Sequence, residues 1–189
     1  GMKIDVAYTE ALRDEWRAET AELRAHLQAK NIQNPGSNHQ VTLHLKEAGW
    51  VPSEFTDTGL PKLDKTVLAS LTERYGDVAE PLIRYRRLND WCSTYLDTFL
   101  RDRDNDDRVH ASINTMGART GRMSITNPPL QTLPSKEASI RNCIIPYSED
   151  EVLYAIDFSQ IEMRMLAHYS GDDALIAAVE AEEDRKSVV

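Results

Sequence analysis

The chain has 189 residues, of which 41% are hydrophobic, and a formal net charge of −9 at neutral pH. That length can bury one large core or two small ones, the composition excludes wholesale disorder, and no apolar run approaches the ~20 residues of a membrane span. The first residues lack the order of a signal peptide, so a cytoplasmic protein is the expectation, and the acidic balance argues against a general nucleic-acid binder.

From Val6 to Ala29, the residues Leu12, Trp16, Leu23 and Leu27 recur at helical spacing among many charges, which predicts an amphipathic helix. Asn34-Pro35-Gly36-Ser37-Asn38 breaks it. Ser37 is placed to cap a second helix through Leu45, with Gly49 just past its end. Val51 to Leu63 reads as loop. Asp64 is the expected cap of a third helix, Lys65 to Tyr75. Pro81 suits the first turn of a fourth, which runs to about Leu100 with Leu82, Tyr85, Leu88, Trp91, Tyr95 and Phe99 on one side. Asp102 to Asp107 reads as a short polar linker and the best candidate boundary. Beyond it, strands are expected at Val109–Met116, Ile140–Ile145 and Val152–Ile156, with Thr120 to Pro134 irregular. Helices are expected over Ser159–Tyr169 and from Asp173 to about Glu183. A helical half joined to a mixed half is an α+β architecture.

Cys92 and Cys143 are too few for a disulfide framework or a four-ligand metal site, and their apolar surroundings suit two reduced, structural thiols. The five histidines show no metal-ligand spacing. Charge is unevenly spread: between Arg108 and Arg141, the five bases Arg108, Arg119, Arg122, Lys136 and Arg141 face one acid, Glu137. A locally basic strip of that kind is compatible with phosphate contact.

The segment Val152 to Arg164 carries the most chemistry. Five apolar residues, Val152–Ile156, read as a buried strand that delivers one carboxylate, Asp157. Ser159 with Glu162 three residues on reads as a capping box, so a helix is expected to begin at Ser159. Asp157 would then lie at the mouth of a strand-to-helix turn, where a carboxylate reaches a metal without burial. A lone Asp ahead of a helix is more often only a turn residue. Here, however, all eight positions from Asp157 to Arg164 fit a longer pattern: Asp, an aromatic, Ser-Gln-Ile-Glu, an apolar residue, Arg. The segment resembles motif A of the family A DNA polymerases, the bacterial DNA polymerase I type.

A second block, Thr120-Gly121-Arg122-Met123-Ser124-Ile125-Thr126-Asn127-Pro128-Pro129-Leu130-Gln131-Thr132-Leu133-Pro134, resembles that family's Thr-Gly-Arg segment. It departs from the pattern at Ile125, Pro129 and Thr132. Weaker matches are Gly1-Met2-Lys3-Ile4-Asp5, Tyr85-Arg86, Ser93-Thr94-Tyr95, Asp97, Arg108-Val109-His110 and Ile140-Arg141, with Thr98 where the family has a DNA-facing Lys.

The resemblance implies a helical thumb, residues 1–101, followed over 102–189 by the first part of a palm with a partial antiparallel sheet and flanking helices. It implies that Asp157 is catalytic and binds two Mg2+ ions, joined at one of them by the backbone carbonyl of Phe158. Ser159, Gln160, Ile161 and Glu162 would line the site of the incoming dNTP, with Glu162 a steric gate against ribose. Arg122 would reach the minor groove at the primer terminus and Gln131 the template, with Thr120, Ser124, Thr126 and Arg141 as further primer–template DNA contacts. Minor-groove acceptors are nearly the same for every correct pair, so a donor there checks geometry without reading sequence. The family's fingers helix and its second metal carboxylate would lie beyond Val189. The expectation is therefore a polymerase fragment of phage or bacterial type, inactive alone. The alternatives are a non-catalytic primer–template binding module and one half of a split enzyme that docks a complementing chain.

Overall fold

The computed structural model describes residues 1–135, 137–148 and 150–186, and its contacts divide the chain into two units, Gly1–Glu151 and Val152–Val189. The chain is α+β, with small antiparallel sheets set among helices.

The first unit is built on two long helices. Helix α1, Val6–Ala29, is capped by Asp5, whose side chain accepts from the Tyr8 N–H. Helix α2, Asn38–Glu47, begins as expected at Ser37, whose hydroxyl accepts from the Gln40 N–H, and Gly49 follows it at φ 92°. Helix α3 runs over Lys65–Ser70 under the Asp64 cap, and α4 over Thr72–Trp91. The break between helices thus falls earlier than Pro81: Tyr75 leaves helical geometry (φ −126°, ψ 32°), and Pro81 lies inside α4. A proline there removes the N–H that would bond to the carbonyl four residues back. That carbonyl belongs to Asp77, and the ring Nε2 of His26 donates to it at 3.0 Å. The same contact ties α1 to α4, as does the Arg84–Glu19 pair, bidentate at 2.7 and 2.9 Å.

Two cores form along this pair. Leu27, Ile32, Val41, Leu45, Leu63, Leu68 and Leu82 pack where α2 and α3 cover one end. Leu12, Trp16, Leu88, Cys92, Tyr95 and Phe99 pack at the other end against Ile4, Val109, Ile140 and Cys143. The helix expected to reach Leu100 does so through a π-helical turn, Cys92–Leu96, followed by α5, Asp97–Arg101. Within it the Asp97 N–H bonds to the Cys92 carbonyl, five residues back. Cys92, at the start of this turn, is fully buried in the core, and Trp91 just before it is half-buried.

Strand β1, Met2–Ile4, is the centre of a three-stranded antiparallel sheet, between β2, Arg108–Val109, and a strand over Ile144–Ile145. The Asp102–Asp107 segment, read as a linker, is an ordered turn. The Asp104 carboxylate accepts from the N–H groups of Asp106 and Arg108 and from His110, and these bonds hold it down at about 2. Two expected strands are corrected. Val109–Met116 splits into β2 and β3, Ser112–Asn114, which belong to different sheets. Within Ile140–Ile145 the first residues are helical (α6, Ala138–Arg141), because Glu137 caps Ser139, and only Ile144–Ile145 (β5) is strand.

Burial in the second core pushes the Cys92 thiol up to about 11 and the Cys143 thiol up as well. Thiolate is the reactive form. The native chain is therefore expected to resist a thiol reagent at pH 8 and to release two equivalents only in denaturant. Prompt labelling of the native chain would contradict this burial.

The second unit holds α7, Ile161–Ser170, and α8, Asp173–Lys186, joined at Gly171 (φ 63°), with the Asp172 side chain accepting from the Leu175 N–H. Val152–Ile156, expected as a buried strand, takes no regular structure here, and Ile156 is 89% exposed. A strand needs a ladder partner, and among the described residues none pairs with this segment.

Candidate functional site

The candidate residues fall in both units. In the first, the Thr-Gly-Arg block is not irregular throughout. Strand β4, Ser124–Thr126, pairs with β3 in register Ser112↔Thr126, Ile113↔Ile125 and Asn114↔Ser124. The β3 side of this hairpin falls within the strand expected over Val109–Met116, while β4, in the segment expected to be irregular, is too short at three residues for alternation to show. Thr120, Gly121 and Arg122 form its exposed tip. The tip closes through Gly121 N–H to Ala118 O at 3.0 Å and Ala118 N–H to Arg122 O at 3.1 Å, with Gly121 at φ 78°.

Gly117 allows the two sides of the hairpin to approach. A Cβ there would lie 2.0 Å from the Ser124 hydroxyl and 3.2 Å from the Ser124 nitrogen. Gly117→Ala is expected to splay the tip, at a cost of about 1–3 kcal/mol. Loss of amide protection on β4, with the helical core intact, is the measurement; unchanged protection would contradict it.

Gln131 lies in a 3-10 turn, Leu130–Thr132. Its side-chain amide braces β4, accepting from the Ile125 N–H and donating to the Met123 carbonyl, both at 3.1 Å. Ser124 is half-buried and Thr126 exposed. Arg141, exposed, donates through Nε to the Pro134 carbonyl at 3.0 Å and so closes the far end of the block. Of the basic strip, Arg108 stacks on Tyr147 at 4.1 Å, Arg119 and Arg122 are exposed on the hairpin, and Lys136 lies outside the described residues.

In the second unit, Asp157 and Phe158 are exposed, Phe158 by 75%. The expected capping box is out of register, since the helix begins at Ile161 with Gln160 at its N-cap position. Gln160 adopts φ 49°, ψ 41°, the left-handed region that a long side chain rarely enters. Among the described residues, the other non-glycine residues at positive φ are Asn or Asp. Arg164 holds this turn, donating through Nε to the Ser159 carbonyl at 2.7 Å. Glu162 lies in the first turn of α7, where its charge suits the helix dipole. Strain held in place at one point is a mark of functional turns.

Among the described residues, no group of three His, Cys, Asp or Glu side chains comes together as a metal site. Asp157 and the Phe158 carbonyl are nonetheless hard oxygen donors on an exposed segment. They fit magnesium, which takes one or two carboxylates and fills its other positions with water and phosphate.

Most of the second unit's apolar side chains are uncovered. Leu153, Tyr154, Ile156, Phe158, Leu166 and Tyr169 are each more than half exposed, and Ala167 is the one buried residue among those whose burial is described. No helix among the described residues is long and apolar enough to cross a membrane.

The family profile of DNA polymerase family A matches residues 6–187. The DNA polymerase of Mycobacterium phage D29 is 35% identical over 182 residues, covering 94% of this chain and 30% of that protein. DNA polymerase I of Bacillus subtilis is 32% identical and DNA polymerase I, thermostable, of Thermus aquaticus 34% identical, the chain spanning 21% and 23% of their lengths. Among solved structures, the POL domain of Pol1 from M. smegmatis, in complex with DNA primer-template and dNTP, superposes with a TM-score of 0.81 at 30% identity, over 96% of this chain and 33% of that one.

Proposed function

Because this chain belongs to DNA polymerase family A, we propose that it supplies the thumb (residues 1–101) and the first part of the palm (102–189) of a template-directed DNA polymerase. The observation that carries the reading is the segment ahead of α7: Asp157 presents an exposed carboxylate, followed by Gln160 in the left-handed region and by the Arg164 bond to the Ser159 carbonyl. In the reaction, the primer 3′-hydroxyl attacks the α-phosphorus of a dNTP, a new P–O bond forms, and pyrophosphate leaves. Mg2+, when bound, neutralises the phosphates and lowers the barrier to attack. Asp157 and the Phe158 carbonyl would hold it. Ser159, Gln160, Ile161 and Glu162 would line the dNTP site, with Glu162 occupying the space a 2′-hydroxyl needs.

On this reading Arg122, exposed at the hairpin tip, would be the minor-groove donor at the primer terminus. Thr120, Ser124, Thr126 and Arg141 would lie along the same strand of contacts. Gln131 is first a brace for β4 and would meet the template from that position. Among the described residues this reading identifies one metal carboxylate and no triphosphate clamp, which would leave too little transition-state stabilisation for turnover, so residues 1–189 by themselves are expected to bind primer–template and not to extend it.

Duplex binding by the chain alone tests this grip. The reading predicts affinity that falls with added salt, as released counterions require, is indifferent to Mg2+, and weakens in Arg122→Ala. Absence of binding by the folded chain would contradict it. The uncovered apolar side chains of the second unit favour a second reading, in which the chain is one half of a split enzyme and docks a complementing piece. Self-association or poor solubility relieved by such a piece is its sign.

A further inference from the structure

The hairpin that presents Arg122 is held by a chain of bonds that starts on the helix opposite. Tyr95 lies in the π-helical turn, where the register buries it beside Leu96 and Phe99. From there its hydroxyl donates to the Thr132 carbonyl at 2.6 Å and lies 3.0 Å from the Thr132 hydroxyl. The Thr132 hydroxyl in turn donates to the Pro129 carbonyl at 2.9 Å, closing the 3-10 turn on itself. Gln131, the middle residue of that turn, makes the two bonds to Met123 and Ile125 that bracket Ser124. Met123 is the residue after Arg122.

Resting on the reading of Arg122 as a primer–template contact, we propose that Tyr95 is a positioning residue for Arg122, acting through Thr132 and Gln131 on the backbone of β4. Three features support it. The ring alone would satisfy the core, so the hydroxyl is not explained by packing. Its acceptor is 37 positions away, on the block itself rather than on the helix. Tyr95 also lies in a π-helical turn, a rare register found frequently at functional sites. Thr132, one of the three departures from the family pattern, thereby has a defined task.

The test uses the full chain and Tyr95→Phe, which keeps the ring and removes the bond. Loss of one such hydrogen bond corresponds to about fivefold in a local opening equilibrium. Exchange of the Ile125 amide is expected to quicken by about that factor, with the Leu96 amide unchanged. Affinity for a primer–template duplex is expected to fall about three- to tenfold in the parent background and by less than twofold when Arg122 is already Ala. Ile125 exchange equal to the parent, a uniform rise across all amides, or an affinity loss that adds fully to that of Arg122→Ala would each overturn the proposal. A parent chain that binds no duplex overturns the polymerase reading instead, and the Ile125 exchange then decides whether the brace exists.

Discussion

Replacing Asp157 with Ala is expected to lower primer extension by about 10³-fold or more in a mixture of this chain with a piece carrying the remaining palm and the fingers of a relative. Removing one preorganised electrostatic group from a transition state costs about 10²–10³ in rate, and a carboxylate that holds the metal costs at least as much. The same change should leave folding and duplex binding near the parent values. Asp157 is exposed, and the strap that shapes its turn runs from Arg164 to the Ser159 carbonyl. The contrast between lost extension and retained binding is the signature of a metal ligand. Equal loss of both would make Asp157 a structural turn residue. Asp157→Asn keeps the shape and one oxygen donor while removing the charge, so it should fall between Ala and the parent.

The largest effect on stability is expected from Phe99→Ala. Phe99 is 0% exposed and packs with Tyr95, their ring centroids 6.3 Å apart. It belongs to the core that joins the helices to the β1 sheet. Removing a buried Phe costs about 3–5 kcal/mol, the lost transfer energy plus the cavity left behind. Against the 5–15 kcal/mol of a typical domain, that is a large share. With a urea slope of about 1–3 kcal/mol/M, the unfolding midpoint should fall by roughly 2 M at unchanged slope. A shift below about 0.5 M would mean that this core is not continuous with the sheet.

How far the sequence led depends on how local each signal was. The spacing of Leu12, Trp16 and Leu27 marked α1 to its ends, and Ser37 and Asp64 marked the starts of their helices, because caps and apolar periodicity are written within a few residues. Pro81 misled, since a proline is tolerated mid-helix where another side chain, here His26, takes the carbonyl it frees. The π-helical turn was invisible in the spacing, as one inserted residue looks like ordinary drift of a helical stripe. Val152–Ile156 has the composition of a buried strand and no described partner, so composition alone could not predict its state. Motif A was legible as a pattern, but the helix start was not. Ser159 and Glu162 carry the capping-box spacing, yet Gln160 takes the cap position in a left-handed conformation that no propensity favours. The braces by Tyr95 and Gln131 were beyond reach, because they join segments that only the fold brings together.

Primer extension by the chain alone and by its mixture with the complementing piece tests the central claim most directly. The account predicts no incorporation by the pure chain and Mg2+-dependent extension on mixing. Incorporation by the chain alone, or a folded and DNA-bound mixture that never extends, would contradict it.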